Sequence, residues 1–492
     1  MPATPDHAPL QAPPSRALHG LLCAAAAAAA TLAVTPAAAA PLTADTLQQR
    51  LTQRVQGDRT GLCLQAAVVQ GLQVLRASAC AGTRRSPAPA ADAAFEIGSV
   101  SKTMLGALVA GLVADGRWSL DDPIARHLPP GTVVPRQGER QILVRDLLTH
   151  TAGLPALPPG MAPANPLNPY ADLTEAALLQ ALGRTTLAGT LGQTAAYSNF
   201  GAMVLSVAVA RALAADGSPP DLEAALAQRL FQPLGMDGAH IARPPAGSVA
   251  ATGHGQAGQP VPAWTWAAAP AAAGVGGVRA RLDDMVRYAQ AHLGLLDGLP
   301  GTPLAAQLQQ TQQPLAGAFG MGWMVAPVQG RSLVLHEGGT GGFSSLVLLE
   351  PAARQAVVVL ADTALADLGG LGRLGLALLD DSLPPQPARQ AVPLTDAQLR
   401  DLPGTYSLGP LTLRLRADGT RLVAQADGQS SFDLLADSWG DLYPAAGFSA
   451  LLTPERPRAA AASTPAAGTA VQRFVWRQGG GVMEGRRQGT AP

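Results

Sequence analysis

After residue 40 the spacing of apolar positions alternates between helical and strand periods, and the changes mark out the elements. Ala44 to Val55 carries a helical pattern. Leu62 to Val69 and Val74 to Ala79 read as two strands joined by Gln70-Gly71-Leu72-Gln73, where glycine at the first central position suits a two-residue type II′ turn. A Pro/Ala segment, Ser86 to Ala91, leads to an apolar helix from Ser99 to Asp115 that Gly116 closes. The stretch 122–275 is rich in Pro, Gly and Ala and carries several short helices. Strand patterns return at Leu333 to Leu335, Phe343 to Leu349 and Ala356 to Leu360, and a helical one follows at Leu365 to Leu379. Strands early, helices in the middle and strands late predict an α+β fold, an antiparallel sheet flanked by helices with a mainly helical subdomain.

The pattern changes again after Pro384 to Pro393, which reads as a linker. Gly404 to Tyr406, Leu411 to Leu415, Arg421 to Ala426, Phe432 to Leu435 and Phe474 to Trp476 are short strands separated by turns. They predict a small antiparallel β-barrel-like domain with a disordered insertion at Pro457 to Thr469. The expected organisation is 1–40, 41–383, 384–394 and 395–492.

Residues 1–40 read as a signal peptide: Arg16 precedes an apolar run from Leu18 to Val34, and Ala37-Ala38-Ala39-Ala40 supplies small residues for cleavage. The run is short for a membrane span, no second one follows, and Leu22 before Cys23 fits lipoprotein processing poorly. A periplasmic or secreted protein is expected. Two cysteines then remain, Cys63 and Cys80, in an oxidising compartment. Pairing Gln70 with Gln73 across the turn sets them directly opposite each other at a non-hydrogen-bonded position, so a disulfide is predicted.

Composition excludes some partners. Of 492 residues 47% are hydrophobic, ample for a large core, and 34 basic side chains balance 34 acidic ones. No basic stripe speaks for nucleic acid. The eight histidines are scattered without ligand spacing, so neither metal nor cofactor is expected, and the partner is a small-molecule or peptide substrate.

The chemistry concentrates in three motifs. Lys102 is the only lysine in the chain and lies three places after Ser99. An ammonium can give up its proton when buried, whereas a guanidinium cannot, so the position that kept its amine is a candidate base. Ser99 at a helix start has its hydroxyl near the positive end of the helix dipole, and Lys102 one turn on faces the same way. Tyr197-Ser198-Asn199 supplies a phenol, expected to be acidified by the nearby ammonium and to shuttle a proton to the leaving group. It also supplies Asn199, expected to position Lys102 and bind a substrate amide. In His336-Glu337-Gly338-Gly339-Thr340-Gly341-Gly342 the glycines let a substrate backbone approach closely. His336, Gly338, Gly339 and Thr340 are candidate substrate contacts, and the N–H groups of Ser99 and Gly339 a candidate oxyanion hole.

From about Leu62 to Leu379 the chain resembles the serine β-lactamase-related family of class C β-lactamases, D-alanyl-D-alanine carboxypeptidases and family VIII-type esterases. Asp146-Leu-Leu-Thr-His-Thr-Ala-Gly-Leu-Pro155 and Phe231-Gln-Pro-Leu-Gly-Met236 add to the three motifs. The resemblance implies Ser99 as nucleophile, Lys102 and Tyr197 as the acid/base pair, and β-lactams or D-Ala-type peptides as substrates, with esters second. It implies a structural role for His150. It also implies that the C-terminal strands form an accessory domain. His336-Glu337-Gly338 stands where class C β-lactamases carry Lys-Thr-Gly. The chain thus lacks the lysine that helps hold a substrate carboxylate. An imidazole is mostly neutral at pH 7, and Glu337 adds negative charge if it faces the site, which weakens the case for efficient β-lactam hydrolysis. Carboxylate binding by a His336 imidazolium is a hypothesis that the pH dependence of KM tests. Neither Ser-Asp-Asn nor Glu-x-x-Leu-Asn occurs, which disfavours a glutamate-activated deacylating water.

Overall fold

A computed structural model describes residues 42–489, apart from 85, 329, 366–369, 381, 385, 410, 446–449, 456–469 and 479–480. The predicted signal segment and the Pro457–Thr469 insertion lie outside the described residues.

Six strands build one antiparallel sheet: β1 (Cys63–Gln70), β2 (Gln73–Cys80), β3 (Met324–Val328), β4 (Arg331–Gly339), β5 (Ser344–Glu350) and β6 (Gln355–Ala361), in the order β2-β1-β6-β5-β4-β3. Both faces are covered. Leu346 and Leu348 join Leu47, Leu51 and Val55 of helix α1 (Ala44–Val55) in one core, while Val347 and Leu349 face the other. That second core holds α2 (Ser101–Ala114), α3 (Asn199–Leu213) and α4 (Leu282–His292). Burial on both sides is why the central strands read as near-continuous apolar runs. Helix α2 runs through the middle, buried on every side from Ser101 to Leu112. The sequence pattern does not show β3, because Pro327 interrupts it; as the edge strand it can spare that N–H. The late helix, α5, spans Gly372–Leu379 within the predicted Leu365–Leu379.

The first hairpin has the predicted register. Gln70 pairs with Gln73, Gly71 takes φ +60°, and Cys63 faces Cys80 with Cα atoms 4.0 Å apart, joined as a disulfide. In the chain-entropy view this closure stabilises the fold by about 3 kcal/mol.

The C-terminal strands close into an eight-stranded up-and-down barrel. They are β7 (Gly404–Leu408), β8 (Leu411–Asp418), β9 (Arg421–Ala426), β10 (Phe432–Asp437), β11 (Leu442–Pro444), β12 (Leu451–Pro454), β13 (Arg473–Gln478) and β14 (Gly481–Arg487), which returns to β7. Tyr406, Leu415, Leu434, Phe474 and Trp476 help to fill its interior. Strands β11, β12 and β14 have no legible period: two are three or four residues long, and the third begins and breaks on glycine.

The expected linker is not a free spacer. Ala391 and Val392 pair with Asp437 and Ala436, and Arg389 is buried. Arg389 Nη1 donates to Asp437 and Asp441 at 2.9 Å each, and Arg59 donates to Asp437 from Nε and Nη2 at 3.1 and 2.8 Å. The Arg389 guanidinium lies over Trp439, and that of Arg59 lies 3.5 Å from the Tyr443 ring centroid. This charged seam fastens the barrel to the Asp58–Arg59 turn after α1.

Candidate active site

Ser99 lies on a 3-10 turn, Gly98–Val100, that runs directly into α2, so the α-helix starts two residues later than the sequence pattern suggests. The turn is bent by Gly98 at φ +48°, and a Cβ there would fall 2.7 Å from the Gly339 nitrogen. Glycine therefore lets the turn that carries Ser99 touch the end of β4. Gly338 matters in the same way: any Cβ on it would collide with the Ile97 carbonyl oxygen.

One turn along, Lys102 Nζ sits 2.8 Å from Ser99 Oγ and donates to the Val275 carbonyl at 2.7 Å. The side chain is buried, and burial pushes the amine well below its ordinary pKa. The Val275 carbonyl can engage one amine hydrogen and leave the lone pair for the serine proton. Asn199 does not position the lysine. Among the described residues its half-buried side chain makes no hydrogen bond, and the lysine's partner is the backbone oxygen of Val275.

Tyr197 occupies the extended residue before α3, whose N-cap is Ser198. Its ring centroid lies 5.1 Å from Lys102 Nζ. The hydroxyl is buried beside that of Ser99, which favours its ionised form, yet it makes no hydrogen bond of acceptable geometry. Burial dominates and pushes the phenol up, not down. The expected acidification fails because desolvation of the phenol outweighs the help of the neighbouring Ser99 hydroxyl. An amine pushed down beside a phenol pushed up would suit a proton acceptor and a proton donor respectively.

Strand register sets the direction of the N–H at the candidate oxyanion position, Gly339. Thr340 N–H donates to the Phe343 carbonyl at 3.0 Å, so the next pair, Gly339 with Ser344, is non-hydrogen-bonded in the antiparallel alternation. The Gly339 N–H therefore points off the sheet, and β3 does not cover it, because β3 ends where Met324 meets Leu335. Among the described residues the Ser99 N–H also has no acceptor.

The other motif residues divide between faces. His336 shares the site face with Val334, is 2% exposed, and its ring lies 6.3 Å from that of Tyr197. Its Nδ1 bonds to the Glu337 carbonyl at 2.6 Å. Burial first, and Lys102 second, lower its pKa to about 3, in line with the expected neutral ring and against the hypothesis of an imidazolium that holds a carboxylate. The Michaelis constant for an anionic substrate should stay flat between pH 5 and 8. A KM that falls as pH falls through that range would restore the cationic role. Glu337 points to the opposite face, accepts the Leu371 N–H at 2.8 Å at the start of α5, and is pushed up to about 7 by burial. Thr340 is buried near the Glu96 carboxylate, and its hydroxyl accepts the Gly342 N–H at 3.4 Å.

This geometry gathers a serine hydroxyl, a desolvated amine, a phenol and two free N–H groups. The Beta-lactamase family model matches residues 44–379. The chain belongs to the beta-lactamase family. D-alanyl-D-alanine-carboxypeptidase/endopeptidase AmpH of Escherichia coli strain K12 is 29% identical over 283 residues, covering 54% of this chain and 69% of AmpH. A beta-lactamase of the same strain is 28% identical over 305 residues, covering 54% of this chain and 75% of its own length. Among solved structures, a beta-lactamase/D-alanine carboxypeptidase from Yersinia pestis complexed with citrate superposes with a TM-score of 0.53 at 25% identity, over 65% of this chain and 95% of its own. SurE, at 22% identity and TM-score 0.53, covers 90% of this chain and 99% of its own, so the likeness of fold extends into the barrel. Among the described residues no helix is long and apolar enough to cross a membrane.

The residue that sequence reasoning undervalued is His150. It lies directly against Tyr197, with ring centroids 4.5 Å apart. Its one signal was its place in the Asp146–Pro155 segment; nothing in the spacing ties it to Tyr197.

Proposed function

We propose that this family member is an exported serine hydrolase that acts through a covalent acyl-enzyme at Ser99. The observation that carries the reading is the 2.8 Å approach of a buried, desolvated lysine amine to the serine hydroxyl. Lys102 takes the Ser99 proton as Oγ attacks the substrate carbonyl. The N–H groups of Ser99 and Gly339 receive the oxyanion. Tyr197 gives its proton to the departing group and is reprotonated from Lys102. Water then attacks the acyl-enzyme by the reverse relay, and the acid product leaves. Export rests on the composition of residues 1–40.

β-Lactams and D-alanyl peptides are the first substrate class, supported by the names of the relatives above. A second reading, ester hydrolysis, is favoured by His336: a neutral ring stands where a carboxylate-holding lysine would be.

Intact-mass spectrometry of the mature protein with a penicillin and with an activated ester, alongside Ser99→Ala, tests both. An adduct confined to the wild type establishes the nucleophile. Decay of a penicillin adduct supports lactamase action, and persistence supports a peptidase or a penicillin-binding sensor. Turnover of the ester without any penicillin adduct supports the esterase. An adduct on Ser99→Ala would sink the assignment.

A further inference from the structure

We infer that His150 is a positioning residue that holds Tyr197 in place for proton delivery, an inference that rests on the hydrolase reading above.

His150 brackets the tyrosine from both sides. Its carbonyl accepts the Ala196 N–H at 2.8 Å, and its Nδ1 accepts the Ser198 N–H at 3.2 Å. Between those two bonds sits residue 197, and the imidazole packs against the phenol ring at an angle of 39°. On another side the edge of Phe319 closes in, with centroids 5.3 Å apart, leaving His150 4% exposed. One residue thus fixes the backbone before the tyrosine, the backbone after it and the plane of its ring.

The backbone shows what this costs. His150 takes φ +58°, and the other described non-glycine residue with positive φ is Arg354, at a turn. A left-handed histidine is strained by about 1 kcal/mol or more and persists only where its surroundings demand it. Here the unusual conformation turns the carbonyl and the ring nitrogen toward the same short segment. The ring must also stay neutral, since a protonated Nδ1 cannot accept from Ser198. Burial first, with Lys102 and His336 adding repulsion, lowers His150 to about 3 and meets that need.

The clamp matters because the phenol cannot place itself. Its hydroxyl has no hydrogen bond of acceptable geometry, so only packing and backbone decide where the proton is offered. A displacement of about 1 Å can cost on the order of a hundredfold in rate. A residue that only filled the core could be replaced by Phe without consequence. Phe, however, offers no acceptor to Ser198.

Two variants divide the contributions. His150→Asn tolerates positive φ and puts Oδ1 where Nδ1 was, but removes the ring. His150→Phe keeps a ring and loses the acceptor. Each is assayed on a pair of esters with the same acyl group, one releasing 4-nitrophenolate, which leaves without a proton, and one releasing an alkoxide, which needs it. Active sites are counted with a fluorophosphonate, and kcat/KM is compared so that only acylation is read.

Both variants should lose about 10- to 100-fold on the alkyl ester and less than about threefold on the 4-nitrophenyl ester. The same substitutions on a Tyr197→Phe background should add almost nothing to the alkyl-ester loss, as for residues acting through one group. Equal losses on the two esters, or no loss on either, would overturn the positioning role. A wild-type protein that neither takes the fluorophosphonate nor turns over either ester would instead remove the hydrolase reading, and the inference with it.

Discussion

Lys102→Arg should lower acylation of Ser99 by about 10³–10⁴-fold, a rise of roughly 4–5.5 kcal/mol in the barrier to attack, although the formal charge is unchanged. The amine at 2.8 Å from Ser99 Oγ is useful because burial lets it shed its proton. A guanidinium keeps its proton at every working pH and has no lone pair to offer. The sign of the pH dependence follows. Acylation requires the neutral amine, so it should rise with pH through the lowered lysine pKa and fall away in acid. Labelling with a fluorophosphonate and single-turnover release of 4-nitrophenolate measure the step directly. Because arginine is larger and the site is closed, circular dichroism must show a native spectrum, and Lys102→Met serves as the smaller control. Activity within tenfold of wild type in either folded variant would mean that another group takes the proton.

Asp437→Asn should cost about 3–5 kcal/mol of stability, the range for breaking a buried ion pair on one side. Asp437 Oδ2 accepts two N–H groups from Arg59 and one from Arg389, while Oδ1 accepts the backbone N–H of Trp439 and Asp441 at 3.0 and 3.2 Å. A carboxamide has one oxygen for these two sets of donors. Whichever way it turns, its NH₂ faces other N–H groups, and two arginines lose half of their countercharge in a buried place. Because the seam joins the barrel to the turn after α1, calorimetry should show a lower first transition and a barrel that separates from the rest before the six-stranded sheet melts. A single unchanged transition would show that the seam is not what holds the two parts together.

Much of the fold is legible in the chain because it is local. A two-residue turn with glycine first sets the β1–β2 register, and the register sets Cys63 opposite Cys80. Helix α1 is visible from its period, and α2 is visible as an apolar run that ends before Gly116. Strands that were missed lacked a period to see: β3 carries a proline, β11 is three residues long, and β14 begins on glycine. Their places are set by neighbouring strands, not by their own residues.

The site was legible to the same depth. Ser99 and Lys102 are one turn apart, so their approach follows from helical geometry. Tyr197 could be named, but its protonation state could not. That state depends on how thoroughly α2, α3 and β4 exclude water, which no spacing encodes. Asn199 was assigned a partnership that a backbone carbonyl, Val275, actually fills. Main-chain oxygens have no signature in a sequence.

The residues alone therefore determined what is periodic or adjacent: the two-part organisation, the cross-strand disulfide, the approach of Ser99 to the single lysine and the glycine-rich strand end. Tertiary structure decided the rest: an amine pushed down and a phenol pushed up by burial, Glu337 on the far face, His150 packed around Tyr197 and the arginine–aspartate seam between residues 59 and 437. The division has one physical cause. Register and helical phase are set by neighbours in the chain, whereas proton affinity and hydrogen-bond partnership are set by the dielectric and donors that distant segments bring together.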